Sequence, residues 1–325
     1  MDVAGSFTEI NDQKWLAQFK HYLLASDLAP VTVSNYLADL QAFAHWLGQR
    51  PEGQTSLLSI SPGDVQDYCA YLQMAQHLSP VTINRRLQAI RKFAKFALVN
   101  ELAETNPTAG LKRLQEERAS WGRMLSPDEV AHLIEAVQNG RPSLVKRDLA
   151  IVLLVLQAGL KVGDLVKLRV ADFEPSEEGG TITVRRRDGR RKRVVALSSR
   201  VCLALQAYLR VRLAPPTVEH LFLSQKGTPI SARSVQRLIR DYAAAAGLGE
   251  VSASTLRRTY AQTVWKKTGD LSQVASALGH TRLKSTIRYI GSILEDTPGI
   301  KEKSSANVSE SVSAPQALTG IGGIT

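Results

Sequence analysis

With 325 residues, 44% of them hydrophobic, the chain can bury a sizeable core, and its length suggests two domains rather than one. A formal net charge of +11 makes a polyanion the default partner, and nucleic acid fits because the basic residues lie within ordinary globular patterning, not in a membrane-seeking amphipathic block. Two cysteines, Cys69 and Cys202, are too few for a disulfide framework or a zinc finger, the longest apolar run (Ala150 to Leu156) is too short to span a bilayer, and Met1-Asp2-Val3 lacks a leader pattern, so a soluble protein of the reducing cytoplasm is expected.

The first feature in chain order is an internal echo. "LAPVTVSNYL" begins at Leu28 and "LSPVTINRRL" at Leu78, so the same Pro-Val-Thr entry recurs. In each copy the threonine after the proline, Thr32 or Thr82, is a candidate helix cap. The first helix places Val33, Leu40, Phe43 and Leu47 on one face. The second does the same with Ile83, Leu87, Ile90 and Ala94, while Asn84, Gln88, Arg91 and Lys95 share another face, widened by Arg85, Arg86 and Lys92. A charge run is usually a solvated face, but this one holds no acidic residue from Asn84 to Lys95, which favours a nucleic-acid surface. Two copies are too few for a solenoid.

Residues 107–118, with Pro107, Gly110 and mixed charges, read as a linker. It would separate a helical domain at 11–106, preceded by a tail at 1–10, from a second domain at 119–300. That domain opens on "LSPDEV", where Ser126 as cap, Pro127 in the first helical position and Glu129 three past the cap make a capping box. "RDLAIVLLVLQAG" follows as a buried helix ended by Gly159, then "KVGDLVKL" as a short helix. "TITV" and "RVVALS" read as paired strands around the turn "RRRDGRRKR". "ISARSVQRLIRDYAAAAG" and "STLRRTYAQTVWKKTG" read as helices ended by glycine, and the Ser-, Ala- and Gly-rich tail at 301–325 as disordered.

The stretch "ALGHTRLKSTIRYIG", Ala277 to Gly291, sets one histidine nine residues before one tyrosine, with basic residues and no acidic ones. Read singly, Tyr289 is as well explained as a half-buried aromatic, and His280 as a helix cap after Gly279. In order along the chain, however, "RDLAIVLLVLQAGLKVGDLVKLR", "TLRRTYA" and "LGHTRLKSTIRYI" resemble the tyrosine recombinase family of phage-integrase and Xer-type enzymes. "LAPVTVSNYLADLQAFAHWL" and "LSPVTINRRLQAIRKFAKFALVNELAETNPTAGLK" extend the resemblance to about residues 11–295. Each motif alone is weak, and their order is what is specific.

The resemblance implies a mainly α protein with a small β-sheet: a helical, SAM-like core-binding domain joined to a catalytic domain, the two closing on duplex DNA as a C-shaped clamp. It implies site-specific recombination, in which a tyrosine hydroxyl attacks a DNA phosphodiester to give a 3′-phosphotyrosyl link while a 5′-hydroxyl leaves. Bond energy stays in that link, so neither ATP, metal nor other cofactor is implied. Pre-placed donors would meet the charge gathering on the phosphate oxygens. Carried over residue by residue, Tyr289 is the nucleophile, Arg257 the second arginine and His280 the phosphate-binding imidazole.

Three positions depart from the family pattern. Lys161 stands where the family has its first arginine, Ser254 where it has its first histidine, and Asp188 where it has the lysine of the strand turn, with Arg187, Arg190, Arg191 and Lys192 as stand-ins. Lysine keeps the charge but loses the bidentate fork. Two functions therefore fit: a working recombinase or integrase of chromosomal or mobile-element DNA, or a catalytically impaired relative that binds specific DNA as a structural or regulatory partner. Either implies double-stranded DNA carrying a specific site as partner, a homo- or hetero-oligomer, a tetramer in this family, assembled on it, no membrane, and a cytoplasmic, nucleoid-associated location.

Overall fold

Four helices begin on a proline, at Pro30, Pro62, Pro80 and Pro127, where the ring's fixed φ suits the first turn and the missing N–H would be unpaired in any case. A computed structural model describes residues 3–26, 28–50, 56–115, 122–185, 191–215 and 217–295. The expected disordered tail at 301–325 and the turn residues Arg187, Asp188 and Arg190 lie outside the described residues. The chain forms two compact units, Met1–Ala119 and Ser120–Thr325.

The first unit is helical: α1 (Val3–Ala25), α2 (Pro30–Gly48), α3 (Pro62–Met74) and α4 (Pro80–Val99). Its core joins Phe19 and Leu23 of α1 to Leu40 and Phe43 of α2, Tyr68 of α3, and Ile83, Leu87 and Phe93 of α4. Phe19 meets Phe93 edge-on at 5.4 Å. The expected threonine caps are not the caps used. Ser79 Oγ accepts from Thr82 N–H, and Ala29 precedes α2 without a side-chain cap, because Pro30 and Pro80 take the first helical position and push each threonine inside the helix.

The basic face of α4 is also less open than periodicity suggests. Asn84 is 2% exposed: its Nδ2 donates to Leu114 O and its Oδ1 accepts from Leu114 N–H, both at 2.9 Å. Arg91 donates to Leu111 O, and Arg85 pairs with Asp39. The segment after α4 returns along that face, leaving Gln88 and Lys95 exposed.

In the second unit, α5 (Pro127–Gln138) carries the expected capping box between Ser126 and Glu129. Helix α6 (Val145–Gln157) is buried along almost its whole length and forms the axis of the core. After α7 (Val162–Leu165) come three antiparallel strands in the order β1 (Phe173–Ser176), β2 (Gly179–Arg185), β3 (Arg191–Ser198). Ile182 faces Val195 and Val184 faces Arg193, so alternate residues from 193 onward point to the side that packs on α8 (Ser199–Leu209). Helices α9 (Ala232–Ala245), α10 (Ala253–Thr268), α11 (Leu271–Leu278) and α12 (Leu283–Glu295) complete it. No helix among the described residues is long and apolar enough to cross a membrane.

Candidate active site

Gly159 ends α6 in a left-handed conformation, φ +59°, and a Cβ there would collide with the ring of Tyr260 on α10. The turn it makes leaves Lys161 exposed as the N-cap of α7, and its own carbonyl accepts from Nη1 of Arg257. Arg257 lies on the buried face of α10, 4% exposed. Its Nη2 donates to Leu278 O at 2.6 Å and lies 3.4 Å from His280 Nε2. Burial weighs against its charge, Tyr289 and Asp164 support it, and Arg193 opposes it.

Leu278 is the last residue of α11. Gly279, at φ +63°, donates to Ser276 O, and His280 N–H returns to Ala275 O at 2.8 Å, a Schellman end. His280 therefore does serve in a helix cap, through its backbone, and that leaves the imidazole free to face inward. Its Nδ1 is 3.0 Å from Oγ1 of the fully buried Thr286. Its pKa falls to about 4, first through burial and then through Arg257, Lys161 and Arg193, so the ring is neutral near pH 7. Arg257 can only donate, so its contact with Nε2 goes with the ring proton on Nδ1, towards Thr286 Oγ1; when Thr286 instead donates to Nδ1, Nε2 carries the proton and is a donor for an anionic oxygen.

Tyr289 comes from α12. Its ring meets that of His280 edge-on at 5.7 Å and lies 5.9 Å from the Arg257 guanidinium carbon and 5.3 Å from that of Arg258. The Arg258 guanidinium also lies against Gly122, where a Cβ would collide with it. The Tyr289 hydroxyl donates to Ser254 O at 3.2 Å. Burial raises its pKa, while Arg257 and then Arg258 pull it down. Ile290 breaks the helix immediately afterwards, at φ −119° and ψ 18°.

The fold thus brings Tyr289, Arg257, His280 and the backbone of Ser254 together, with Lys161 close enough to bear on the imidazole. The Ser254 side chain is exposed. Arg191 and Lys192 open β3, and Arg187 and Arg190 lie outside the described residues. Asn84, Arg85, Gln88, Arg91 and Lys95 belong to the other unit. Reading the sequence missed Thr286, Arg258 and Arg193. Strand alternation could have found Arg193, which shares a face with buried Val195 and Leu197. Among the described residues, no group of three or more His, Cys, Asp or Glu side chains could hold a metal ion.

An arrangement of neutral imidazole, buried guanidinium, ammonium and phenol suits attack on a phosphodiester: donors for the non-bridging oxygens sit beside a hydroxyl nucleophile. Residues 123–293 match the phage integrase family, and residues 16–101 match the phage integrase N-terminal SAM-like domain. The chain is 32% identical over 278 residues to the tyrosine recombinase XerC of Shewanella amazonensis, covering 85% of this chain and 90% of that one. It is 29% identical over 275 residues to XerC of Chromobacterium violaceum, covering 84% and 88%. Among solved structures, the fold is that of XerH bound to a palindromic difH substrate after cleavage, with a TM-score of 0.68 and 19% identity over 85% of this chain and 80% of that one. It is also that of a lambda integrase (75–356) dimer bound to a core site, with a TM-score of 0.65 and 17% identity over 86% and 94%.

Proposed function

The chain belongs to the phage integrase family and is a tyrosine-type site-specific DNA recombinase, and we propose that Tyr289 is the group that attacks the DNA. The observation that carries this reading is the meeting of Arg257 from α10, His280 from the turn after α11 and Tyr289 from α12, with the imidazole 5.7 Å and the guanidinium carbon 5.9 Å from the phenol ring.

In the proposed step the Tyr289 oxygen forms a bond to phosphorus, the bond from phosphorus to the 5′-oxygen breaks, and the phenol's proton passes to solvent water. A 5′-hydroxyl later attacks the same phosphorus and releases Tyr289, so no bond energy is lost. Arg257 and His280 Nε2–H donate to the non-bridging oxygens, and Lys161 adds a point charge where a guanidinium would have added a fork. The departing 5′-oxygen needs a proton. Of the stand-ins at the strand turn, Arg187, Arg190, Arg191 and Lys192, only the lysine can give one up, since arginine stays protonated in proteins.

The helical unit would contribute DNA contacts of its own, through the exposed side chains of Gln88 and Lys95. The target is a specific double-stranded site, occupied by a homo- or hetero-oligomer that forms a tetramer on the DNA, and work on such DNA fits a cytoplasmic, nucleoid-associated protein. A silent DNA-binding relative would have no chemical use for Tyr289, and the likeness to XerC over most of the chain supports activity.

The test is a nicked suicide substrate that traps the covalent step. Wild type is expected to give a protein–DNA adduct that survives SDS and is destroyed by protease, while Tyr289→Phe binds the same DNA and gives none. Adduct from Tyr289→Phe would move the nucleophile elsewhere, with Tyr260 the nearest other phenol. Specific binding without adduct in wild type would favour the silent relative.

A further inference from the structure

At the floor of the site lies a charged side chain that the proposed reaction does not use. Arg193 reaches in from β3, and its Nη1 donates to Ala277 O at 2.7 Å. Arg257 takes the next carbonyl, that of Leu278. Two guanidiniums from different elements thus occupy consecutive carbonyls at the C-terminus of α11, where a helix leaves its carbonyls unpaired and its dipole negative. Gly279 follows, and a Cβ there would stand 2.9 Å from Nε, Nη1 and the central carbon of Arg193. The bare glycine lets the guanidinium lie against the turn, and the next residue is His280.

Two more observations single out Arg193. Its Nε and Nη2 are buried with no hydrogen-bond partner, an expensive condition that native structures rarely keep without a use. Burial weighs against its charge, which Asp164 and then Tyr260 support.

We propose that Arg193 is a positioning residue for recombination: it ties strand β3 to the turn that carries His280, so that the β2–β3 hairpin and the imidazole keep one register against the phosphate. This rests on His280 being a phosphate-binding group, as proposed above. Electrostatics agrees with the geometry. The imidazole faces Arg257 from α10, Lys161 at the start of α7, Arg193 from β3 and Tyr289 from α12, and Arg193 is one of the three cations that keep it neutral.

Arg193→Met and Arg193→Lys, compared with wild type, test the proposal by two readouts. The first is the titration of His280 in DNA-free protein, followed by NMR with labelled histidine and assigned with His280→Gln. The second is the single-turnover rate of adduct formation on the suicide substrate at saturating DNA. Arg193→Met is expected to raise the His280 pKa above about 4 and to slow adduct formation by roughly tenfold or more, with DNA affinity within about twofold of wild type. Arg193→Lys restores the titration but only part of the rate, because an ammonium cannot lie flat on Gly279 while bonding Ala277.

A folded Arg193→Met with wild-type titration and wild-type rate overturns the proposal. Should that variant not fold, Arg193→Lys decides, and a wild-type adduct rate in it removes the positioning role. If wild type itself gives no adduct, the reading of the function fails. The His280 titration still judges the tie, a shift supporting it and an unchanged curve overturning it.

Discussion

In the proposed site, Lys161 and Ser254 take the places where a forked donor and a second imidazole would serve the phosphate, and they set the sharpest question about single residues. If the site works as proposed, Lys161→Arg adds a fork opposite Arg257, and Ser254→His adds an imidazole beside the carbonyl that now holds the Tyr289 hydroxyl. Each is expected to speed adduct formation, and the pair by more than either alone, because groups acting on one transition state behave as a unit. A gain of about tenfold would correspond to about 1.4 kcal/mol of barrier. Slower reaction from both, in folded protein, would show that other residues have taken over and that the assignments at 161 and 254 are wrong. His280 makes a separate prediction about stability. Its folded pKa, about 4, lies below the ordinary 6.5, so below 6.5 the unfolded chain takes up a proton that the folded one refuses. That contribution is present above pH 6.5 and fades as pH falls towards 4. Calorimetry should find wild type losing more Tm than His280→Gln across this window, and equal losses would mean that the imidazole is not held neutral.

Helix α4 shows how far an element can be read before it is seen. Its apolar stripe was legible, since Ile83, Leu87, Ile90 and Ala94 are all buried. The opposite face misled at Asn84, because period alone cannot reveal that residues 111–114 return to cover it. The two roles can be separated: Asn84→Ala should lower Tm by removing two backbone-directed hydrogen bonds, worth about 1 kcal/mol each, and leave the salt dependence of DNA binding unchanged. Lys95→Ala should leave Tm alone and reduce the log–log salt slope by about one. The reverse pattern would put Asn84 on the DNA. Elsewhere, α6 was clear from its apolar run and its terminal Gly159, and the strand pair from its β-branched residues. Strand β1, with the sequence Phe-Glu-Pro-Ser, gave little strand signal because it lies at the sheet edge and draws its pairing from β2. Arg193 was legible in principle, since it alternates with Val195 and Leu197 in the expected strand, but it was passed over as the last of a run of cations.

Across the whole molecule, an excess of eleven positive charges is expected to govern how it meets DNA. If exposed cations of both units contact phosphates, binding should weaken steeply with salt, with a log–log slope on the order of −6 to −10 per protomer. Equilibrium titration from low to moderate salt checks this, and a slope near zero would remove the backbone as the main contact. The two units have separate hydrophobic cores, one built around aromatic pairs and one around α6, so each has its own reason to stay folded. The Tyr289 region adds a third and smaller cluster, in which Ile290 is fully buried beside Val264, Trp265 and Leu278.

That cluster gives the break in α12 a consequence for cooperativity. A continuous helix passes disorder along its ladder, because each turn is secured by the next. Here the residue that interrupts the ladder is also the one driven into the core, so a boundary between cooperative units is expected between Tyr289 and the residues after it. Loss of helix at residues 291–295 would then be a separate event, its cost not charged to the turn that carries the phenol.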